Sequence, residues 1–150
     1  MNPRAVHEPS ALPVPATPPS REGVVRLRVR YNECDPMGVV HHGSYASWLE
    51  IGRTELLRAA GVSYRAMEEA GVFLVIVKLS IRYKRPARYD DEIEVLTKAV
   101  RGSRVKIDHE YEVFKVSADG SRELCVTAET TLACVDGTGH VRELPTWLQG

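Results

Sequence analysis

The second half of the chain alternates between apolar and polar residues along four successive segments, and this pattern limits the possible folds more than any other feature. The alternating segments are residues 73–83, 93–99, 105–113 and 124–134. A period of two is typical of β-strands that bury one face. Short connections with turn-forming residues, such as Gly102 and the Asp119-Gly120 pair, join the later segments. The pattern therefore predicts an antiparallel sheet built from hairpins.

One more strand and one long helix precede these four segments. Residues 24–31 place valine and leucine on one face and three arginines on the other, which predicts the first strand. Apolar residues between Tyr45 and Ala59 have helical spacing, so we expect a helix over 43–60, and a short polar helix over 63–70 follows. An antiparallel sheet leaves one face to be covered, and only the long helix can cover it. The predicted fold is α+β, with about five antiparallel strands and one long helix.

The first 23 residues differ in composition from the rest. Six of the nine prolines lie within the first 19 residues, where apolar residues are few and scattered. Proline prevents a continuous helix or a central strand, and so few apolar residues cannot form a core. We predict a disordered proline-rich extension over 1–23 and one folded domain over 24–150. The extension lacks the uninterrupted apolar segment of a secretory signal.

Charge and hydropathy exclude several functions. The chain has 20 Lys and Arg against 20 Asp and Glu, which argues against nucleic acid as a partner because such proteins carry an excess of basic residues. The longest apolar run, residues 72–77, is far shorter than the roughly 20 residues of a membrane span. Three cysteines show neither zinc spacing nor a paired disulfide framework, so we expect a cytoplasmic protein.

Residues 31–45, between the first strand and the long helix, form the densest polar cluster. The start of a helix offers unpaired N–H groups and a partial positive charge that can polarise a carbonyl. A carboxylate just before it, here Asp35, can serve as a nucleophile or a general base. Alternatively, Asp35 only fixes the turn before Pro36 and Gly38. The residues alone leave both interpretations open.

Other polar residues give weaker indications. Adjacent residues such as His41 and His42 point about 100° apart on a helix, so we expect no metal site. Cys34 is either a nucleophile or a small apolar residue. A second basic cluster is either a phosphate site or an exposed rim of the sheet. It comprises Lys84, Arg85, Arg88, Arg101 and Arg104.

The segment from Tyr31 to Glu55 resembles the signature of the 4-hydroxybenzoyl-CoA thioesterase family of hotdog-fold proteins, and most of all its bacterial short acyl-CoA thioesterase branch. That signature joins an Asp, Gly-Val-Val, a His or Tyr, and an aromatic-rich helix ending in Glu-x-x-Arg. The matching residues here are Asp35, Gly38, Val39, Val40, His42, Tyr45, Glu50 and Arg53. Residues 83–91 resemble the family's link between strands two and three.

The resemblance implies a hotdog fold, in which the sheet wraps around the helix and chains pair as a homodimer or homotetramer. It also implies an enzyme that hydrolyses an acyl-CoA without a metal or cofactor. The implied catalytic residues are Asp35, as nucleophile or base, and His42, whose backbone N–H receives the thioester oxygen. The predicted substrate-binding residues are Gly38, Val39, Val40, Tyr45, Lys84, Arg85, Arg88, Arg101 and Arg104.

Three alternatives remain on the same fold. A non-catalytic module would bind acyl-CoA or acyl-carrier protein and release no thiol. A lyase acting on enoyl thioesters would need a histidine side chain as proton carrier. A third enzyme would use Cys34 as nucleophile. Two positions also depart from the signature: His41 replaces a tyrosine, and Glu33 adds an ionisable group beside Asp35.

Overall fold

The computed structural model describes residues 11–150 as five strands and two helices, with two short 3-10 turns at Tyr31–Glu33 and Thr146–Leu148. The strands are β1 (Glu22–Arg28), β2 (Phe73–Tyr83), β3 (Glu92–Gly102), β4 (Lys106–Val116) and β5 (Arg122–Val135). The helices are α1 (Ser44–Arg58) and α2 (Tyr64–Glu69). Neither helix in this part of the chain is long and apolar enough to cross a membrane.

All five strands form one antiparallel sheet in the order β1-β3-β4-β5-β2. Helix α1 lies on one face of that sheet, where Trp48 and Leu49 pack against Ile93, Val95 and Val113. All five side chains are almost completely buried, which removes a large apolar area from water. The predicted α+β arrangement of one long helix on about five strands is confirmed.

Gly52 allows α1 to approach the sheet closely. A Cβ atom at this position would overlap the Thr97 hydroxyl of β3 and press on Val95. Any larger residue would therefore push the helix away from the sheet. The close approach fixes the position of α1, and with it the loop that leads into the helix.

Strand β2 lies at the edge of the sheet and contains a bulge. Its register with β5 shifts between Ile76 and Lys78, so Val77 is the extra residue. Because of this shift, Leu74 and Ile81 both pack into the core although they are an odd number of residues apart. The other edge of β2 has no strand partner within residues 11–150. An apolar run at this edge, Val75, Ile76, Val77 and Leu79, is exposed.

The described part of the proline-rich segment, residues 11–21, leads into β1. Within it, the Ala16 N–H donates a hydrogen bond of 3.1 Å to the carbonyl of Ala60 beyond the end of α1. Strand β1 begins at Glu22, slightly before the predicted boundary of the domain. Residues 1–10 lie outside the described residues, so the disorder of the extension stays a prediction, as does the cytoplasmic location.

Candidate active site

The loop between β1 and α1 folds into a narrow turn that carries Asp35. Cys34 and Val40 pair as an isolated β-bridge at the base of the turn. The Asp35 N–H donates to the carbonyl of Val39 at 2.9 Å, and the Gly38 N–H donates back to the Asp35 carbonyl at 2.9 Å. Gly38 has a φ of 80°, a left-handed conformation that favours glycine. The turn therefore fixes the backbone of Asp35 from both sides.

Backbone contacts also join this turn to the segment after β2. The Val40 N–H donates to the carbonyl of Ala87 at 2.8 Å, and Val39 forms a bridge with Arg88. Ala87 is completely buried. The two segments that resemble the family signature are thus held side by side, although they are far apart in sequence.

Glu33 holds the same loop to the helix. Its side chain is buried, with 7% of the residue exposed, and Oε2 accepts a hydrogen bond of 2.6 Å from Trp48 Nε1. Oε1 accepts from the Arg30 N–H at 2.7 Å, and the Glu33 carbonyl accepts from the His41 N–H and the Ser44 hydroxyl. These contacts make Glu33 a structural residue, a role that sequence reasoning did not find.

The Asp35 carboxylate lies at the wall of an open cleft of about 330 Å³. Its Oδ1 accepts a hydrogen bond of 2.9 Å from the Met37 N–H, whereas Oδ2 has no hydrogen bond within residues 11–150. The cleft is lined by Asp35, Val39, Val40, His42, Tyr45, Tyr83, Lys84, Arg85 and Pro86. One carboxylate oxygen is therefore held in place while the other is available to a molecule in the cleft.

His42 lies at the N-terminal end of α1, just before Gly43. Its backbone N–H donates to no group in residues 11–150, and its carbonyl accepts a hydrogen bond of 2.9 Å from the Tyr83 hydroxyl. The start of a helix carries a partial positive charge. The cleft thus combines a free N–H donor at a positive helix end with the Asp35 carboxylate.

The imidazole of His41, the residue before His42, contacts the backbone close to it in the chain. Nδ1 of His41 accepts a hydrogen bond of 3.0 Å from the Gly43 N–H. The rings of His41 and His42 lie 4.0 Å apart. Within the described residues, no three His, Cys, Asp or Glu side chains cluster as a metal site would require.

Two tyrosines form an aromatic wall of the cleft. The rings of Tyr45 and Tyr83 meet edge to face, 5.5 Å between centroids. Burial raises the pKa of Tyr45 to about 12, so this side chain stays neutral at ordinary pH. Sequence reasoning placed Tyr83 in a strand and at the start of the second segment that resembles the family, but not among the site residues. That second segment was the available signal, because Tyr83 ends β2 directly before the basic residues. The wall offers an uncharged surface to an acyl group.

The five predicted basic residues do not all lie together. Lys84 and Arg85 line the cleft, and Arg88 is bridged to Val39 at its edge. Arg104 instead forms an ion pair with Glu143, and Arg101 lines a different cavity beneath the second half of α1. Within one chain, only the first three are near Asp35.

Cys34 lies beside Asp35 in the chain but is not part of the cleft lining. Its side chain packs against the core, with Sγ 3.9 Å from the Arg30 carbonyl. This environment is that of a small apolar residue.

Comparison with known proteins gives the family of the chain. The family model described as the thioesterase-like superfamily matches residues 29–150. The acyl-CoA thioester hydrolase YbgC of Escherichia coli O6:H1 is 35% identical over 112 residues, which are 73% of this chain and 79% of that protein. The residues matched by the family model include both segments that carry the signature.

Solved structures share the arrangement of strands and helix. The DHNA-CoA thioesterase from Staphylococcus aureus superimposes with a TM-score of 0.76 at 32% identity, covering 82% of this chain and 80% of the other. The 4-hydroxybenzoyl-CoA thioesterase from Pseudomonas sp. strain CBS-3 superimposes with a TM-score of 0.76 at 21% identity, covering 86% and 97%. These likenesses confirm the predicted hotdog fold.

Proposed function

This chain is a hydrolase of the thioesterase-like superfamily, and we propose that it hydrolyses an acyl-CoA thioester to a carboxylate and free CoA, with Asp35 as the catalytic carboxylate. The observation that carries this proposal is that Asp35, with an available oxygen, and His42, whose N–H donates to no group in residues 11–150, line the same cleft. The names of the relatives support hydrolysis over a binding module.

The thioester carbonyl accepts a hydrogen bond from the His42 N–H. As the carbonyl carbon becomes tetrahedral, negative charge develops on its oxygen, and a donor at the start of α1 stabilises that charge. A single well-placed donor of this kind is worth about 3 kcal/mol. The Tyr83 hydroxyl, bound to the His42 carbonyl, holds this backbone in position.

Asp35 provides the attacking oxygen or activates the water that provides it. In the first route, Oδ2 attacks the carbonyl carbon, the C–S bond breaks, and water hydrolyses the resulting anhydride. In the second, Asp35 takes a proton from water as its oxygen attacks. Both routes add one water and release a thiolate. Because a thiol has a pKa of about 8.5, the thiolate leaves without a strong general acid.

The rest of the cleft binds the two ends of the substrate. Val39, Val40 and Tyr45 line it with apolar surface that suits an acyl group. Lys84 and Arg85 bind the CoA phosphates at its basic side, together with Arg88. Gly38 positions Asp35 through its turn. Arg101 and Arg104 lie outside the cleft of one chain, so their contact with CoA stays a prediction.

The chain assembles through the outer edge of β2 as a homodimer, or as a tetramer that consists of two such dimers. An unpaired edge with exposed apolar side chains favours addition of another strand.

Light scattering on Val77→Lys tests this edge contact, because a lysine at the edge opposes pairing. The matched control is Val100→Lys, at the bulge of the interior strand β3. Val77 and Val100 are 55% and 43% exposed. Equal masses for both variants would contradict the edge contact.

The test of the activity is hydrolysis of a panel of acyl-CoAs, from short aliphatic to aromatic, followed by release of free thiol. We expect Asp35→Asn to lower the rate on every substrate by about 10²–10⁴-fold. The control is Asp119→Asn. Asp119 Oδ1 accepts from the Ser121 N–H at 2.9 Å, the same local contact that Asp35 makes with Met37, in a remote hairpin.

The same panel separates the alternatives. Full activity in a folded Asp35→Asn variant would exclude the proposed mechanism. Saturable binding of acyl-CoA without thiol release would identify a binding module. An enoyl-thioester lyase would require His42→Ala to cost as much as Asp35→Asn, whereas a backbone donor survives loss of the imidazole. Retained activity in Cys34→Ser would exclude a cysteine nucleophile.

A further inference from the structure

A second cavity lies beneath the C-terminal half of α1. It has a volume of about 260 Å³ and shares no lining residue with the cleft at Asp35. Its lining includes residues of α1, β3 and β4 together with residues 18–21 and 147–150. Three arginines, Arg21, Arg53 and Arg101, line it, and no Asp or Glu side chain does. The charged side chains of the wall are therefore all positive, and Gly150, whose main-chain carboxylate ends the given sequence, lines the cavity beside Arg21.

Arg53 is the buried cation of this cavity. Only 6% of the residue is exposed, and neither Nε nor Nη1 has a hydrogen-bond partner within residues 11–150. No carboxylate in this part of the chain lies within ion-pair distance of it. A buried guanidinium without an anion is strongly unfavourable because it loses its hydration without compensation. Such a group is expected to have an anionic partner that comes from outside the described residues.

Two further polar groups in the cavity also lack partners. Trp147 Nε1 and His109 Nδ1 are buried and make no hydrogen bond with the described chain. Burial, and then the nearby charge of Arg53, lower the pKa of His109 to about 4, so its ring is neutral at pH 7. The indole and the neutral imidazole therefore add no charge to the cavity wall.

The remaining walls are largely apolar. Leu56 and Leu57 of α1 face Leu74 and Ile107 across the cavity. A guanidinium offers paired donors that match the two oxygens of a carboxylate. The volume, at about 30 Å³ for each water-sized unit, fits a molecule of about nine non-hydrogen atoms.

We propose that this cavity binds a small organic carboxylate, with its carboxyl group on Arg53 and its apolar body between the leucines and Ile107. The site is separate from the Asp35 cleft and does not depend on the proposed catalytic route. A carboxylic acid is also the class of product that thioester hydrolysis releases, so the same chemical class can occupy both sites.

Thermal unfolding of the full chain with benzoate as the probe tests the proposal, and benzamide is the neutral control of equal size. We expect benzoate to raise Tm progressively with concentration, because a ligand that binds only the folded state stabilises it. Benzamide leaves Tm unchanged. In Arg53→Met, the affinity for benzoate falls at least about tenfold. Arg58→Met, on the exposed side of the same helix, keeps the full response.

Further variants address two other possibilities: that Arg53→Met does not fold, and that benzoate binds at the Asp35 cleft instead. If Arg53→Met does not fold, Arg53→Lys keeps the charge but loses the paired donors, and the same tenfold loss is expected. In an Asp35→Asn background the benzoate response persists. Benzoate also changes the fluorescence of Trp147, and the change disappears in Trp147→Phe.

Three results would overturn the proposal. The first is an unchanged Tm in the original chain, as would occur if a carboxylate of the protein itself already occupied Arg53. The second is a benzoate response that survives removal of Arg53. The third is an equal response to benzamide.

Discussion

Trp48 Nε1 donates a 2.6 Å hydrogen bond to Glu33 Oε2, and this buried contact joins the loop between β1 and α1 to the helix. Both partners are almost fully buried. The contact fixes the distance between the loop that carries Asp35 and the helix start that carries His42. The proposed mechanism depends on that distance, although neither Glu33 nor Trp48 lines the cleft.

Glu33→Ala is expected to lower the free energy of unfolding by about 2–3 kcal/mol, because it leaves the buried indole N–H of Trp48 unpaired. Glu33→Gln keeps an acceptor at this position and loses less. Urea denaturation measures both. If the alanine and glutamine variants were equally stable, the hydrogen bond would not be the stabilising contact.

Gly38→Ala is expected to lower both stability and activity. Gly38 has a φ of 80°, and a Cβ there would meet nothing within 4 Å. Backbone strain alone therefore lowers the free energy of unfolding, by about 1–2 kcal/mol. Gly120, with a φ of 85° and the same open surroundings, is the control in a remote hairpin. Denaturation and acyl-CoA hydrolysis are measured on both variants. Only Gly38→Ala should lose activity, because only its turn positions Asp35.

Tyr83→Phe removes the hydroxyl that binds the His42 carbonyl. Loss of one such hydrogen bond, about 1 kcal/mol, corresponds to a fall in kcat of up to about tenfold, with KM little changed. Steady-state kinetics measures both constants. The control is Tyr89→Phe, at another exposed tyrosine outside the cleft lining. A rise in KM alone would show that Tyr83 binds substrate rather than holding the backbone.

His109 is expected to make stability fall with acidification. Its pKa is about 4 in the folded chain against 6.5 for an unperturbed histidine, so the unfolded state binds the proton more readily. Stability is therefore complete above pH 6.5 and is lost between pH 6.5 and 4, by up to about 3 kcal/mol. Denaturation of His109→Gln across this range should show a flatter dependence. His140→Gln, at an exposed hairpin, should leave the dependence unchanged.

The fold was largely predictable because the main signals are local and periodic. The alternation of residues 93–99 predicts β3 directly, and the helical spacing after Tyr45 predicts α1. The bulge at Val77 gave no such signal, since an apolar residue at a bulge resembles one in a regular strand. Phe73 and Tyr83 therefore occupy one alternating series in the sequence although the register shifts between them.

The site was predictable where its residues belong to one of the two segments that resemble the family; Lys84 and Arg85 of the second segment also line the cleft. Asp35, Val39, Val40, His42 and Tyr45 came from one signature and do line one cleft. The anchoring role of Glu33 depends on its hydrogen bond with Trp48. The lack of hydrogen-bond partners for Arg53 Nε and Nη1 within residues 11–150 depends on how distant segments pack around them. Neither is a property of a short segment. Charge alone also could not separate Lys84 from Arg104, which lie in different places in the fold.

The turn that presents Asp35 is held by main-chain atoms: Asp35 to Val39, Gly38 to Asp35, and Val40 to Ala87. Exchanging the side chains of Met37 and Val39 leaves all these bonds in place. In the proposed mechanism, substrate preference at this loop can therefore diverge, in evolution or in a directed library, without moving the Asp35 carboxylate. A library randomised at these two positions would retain a high fraction of active members with altered acyl selectivity.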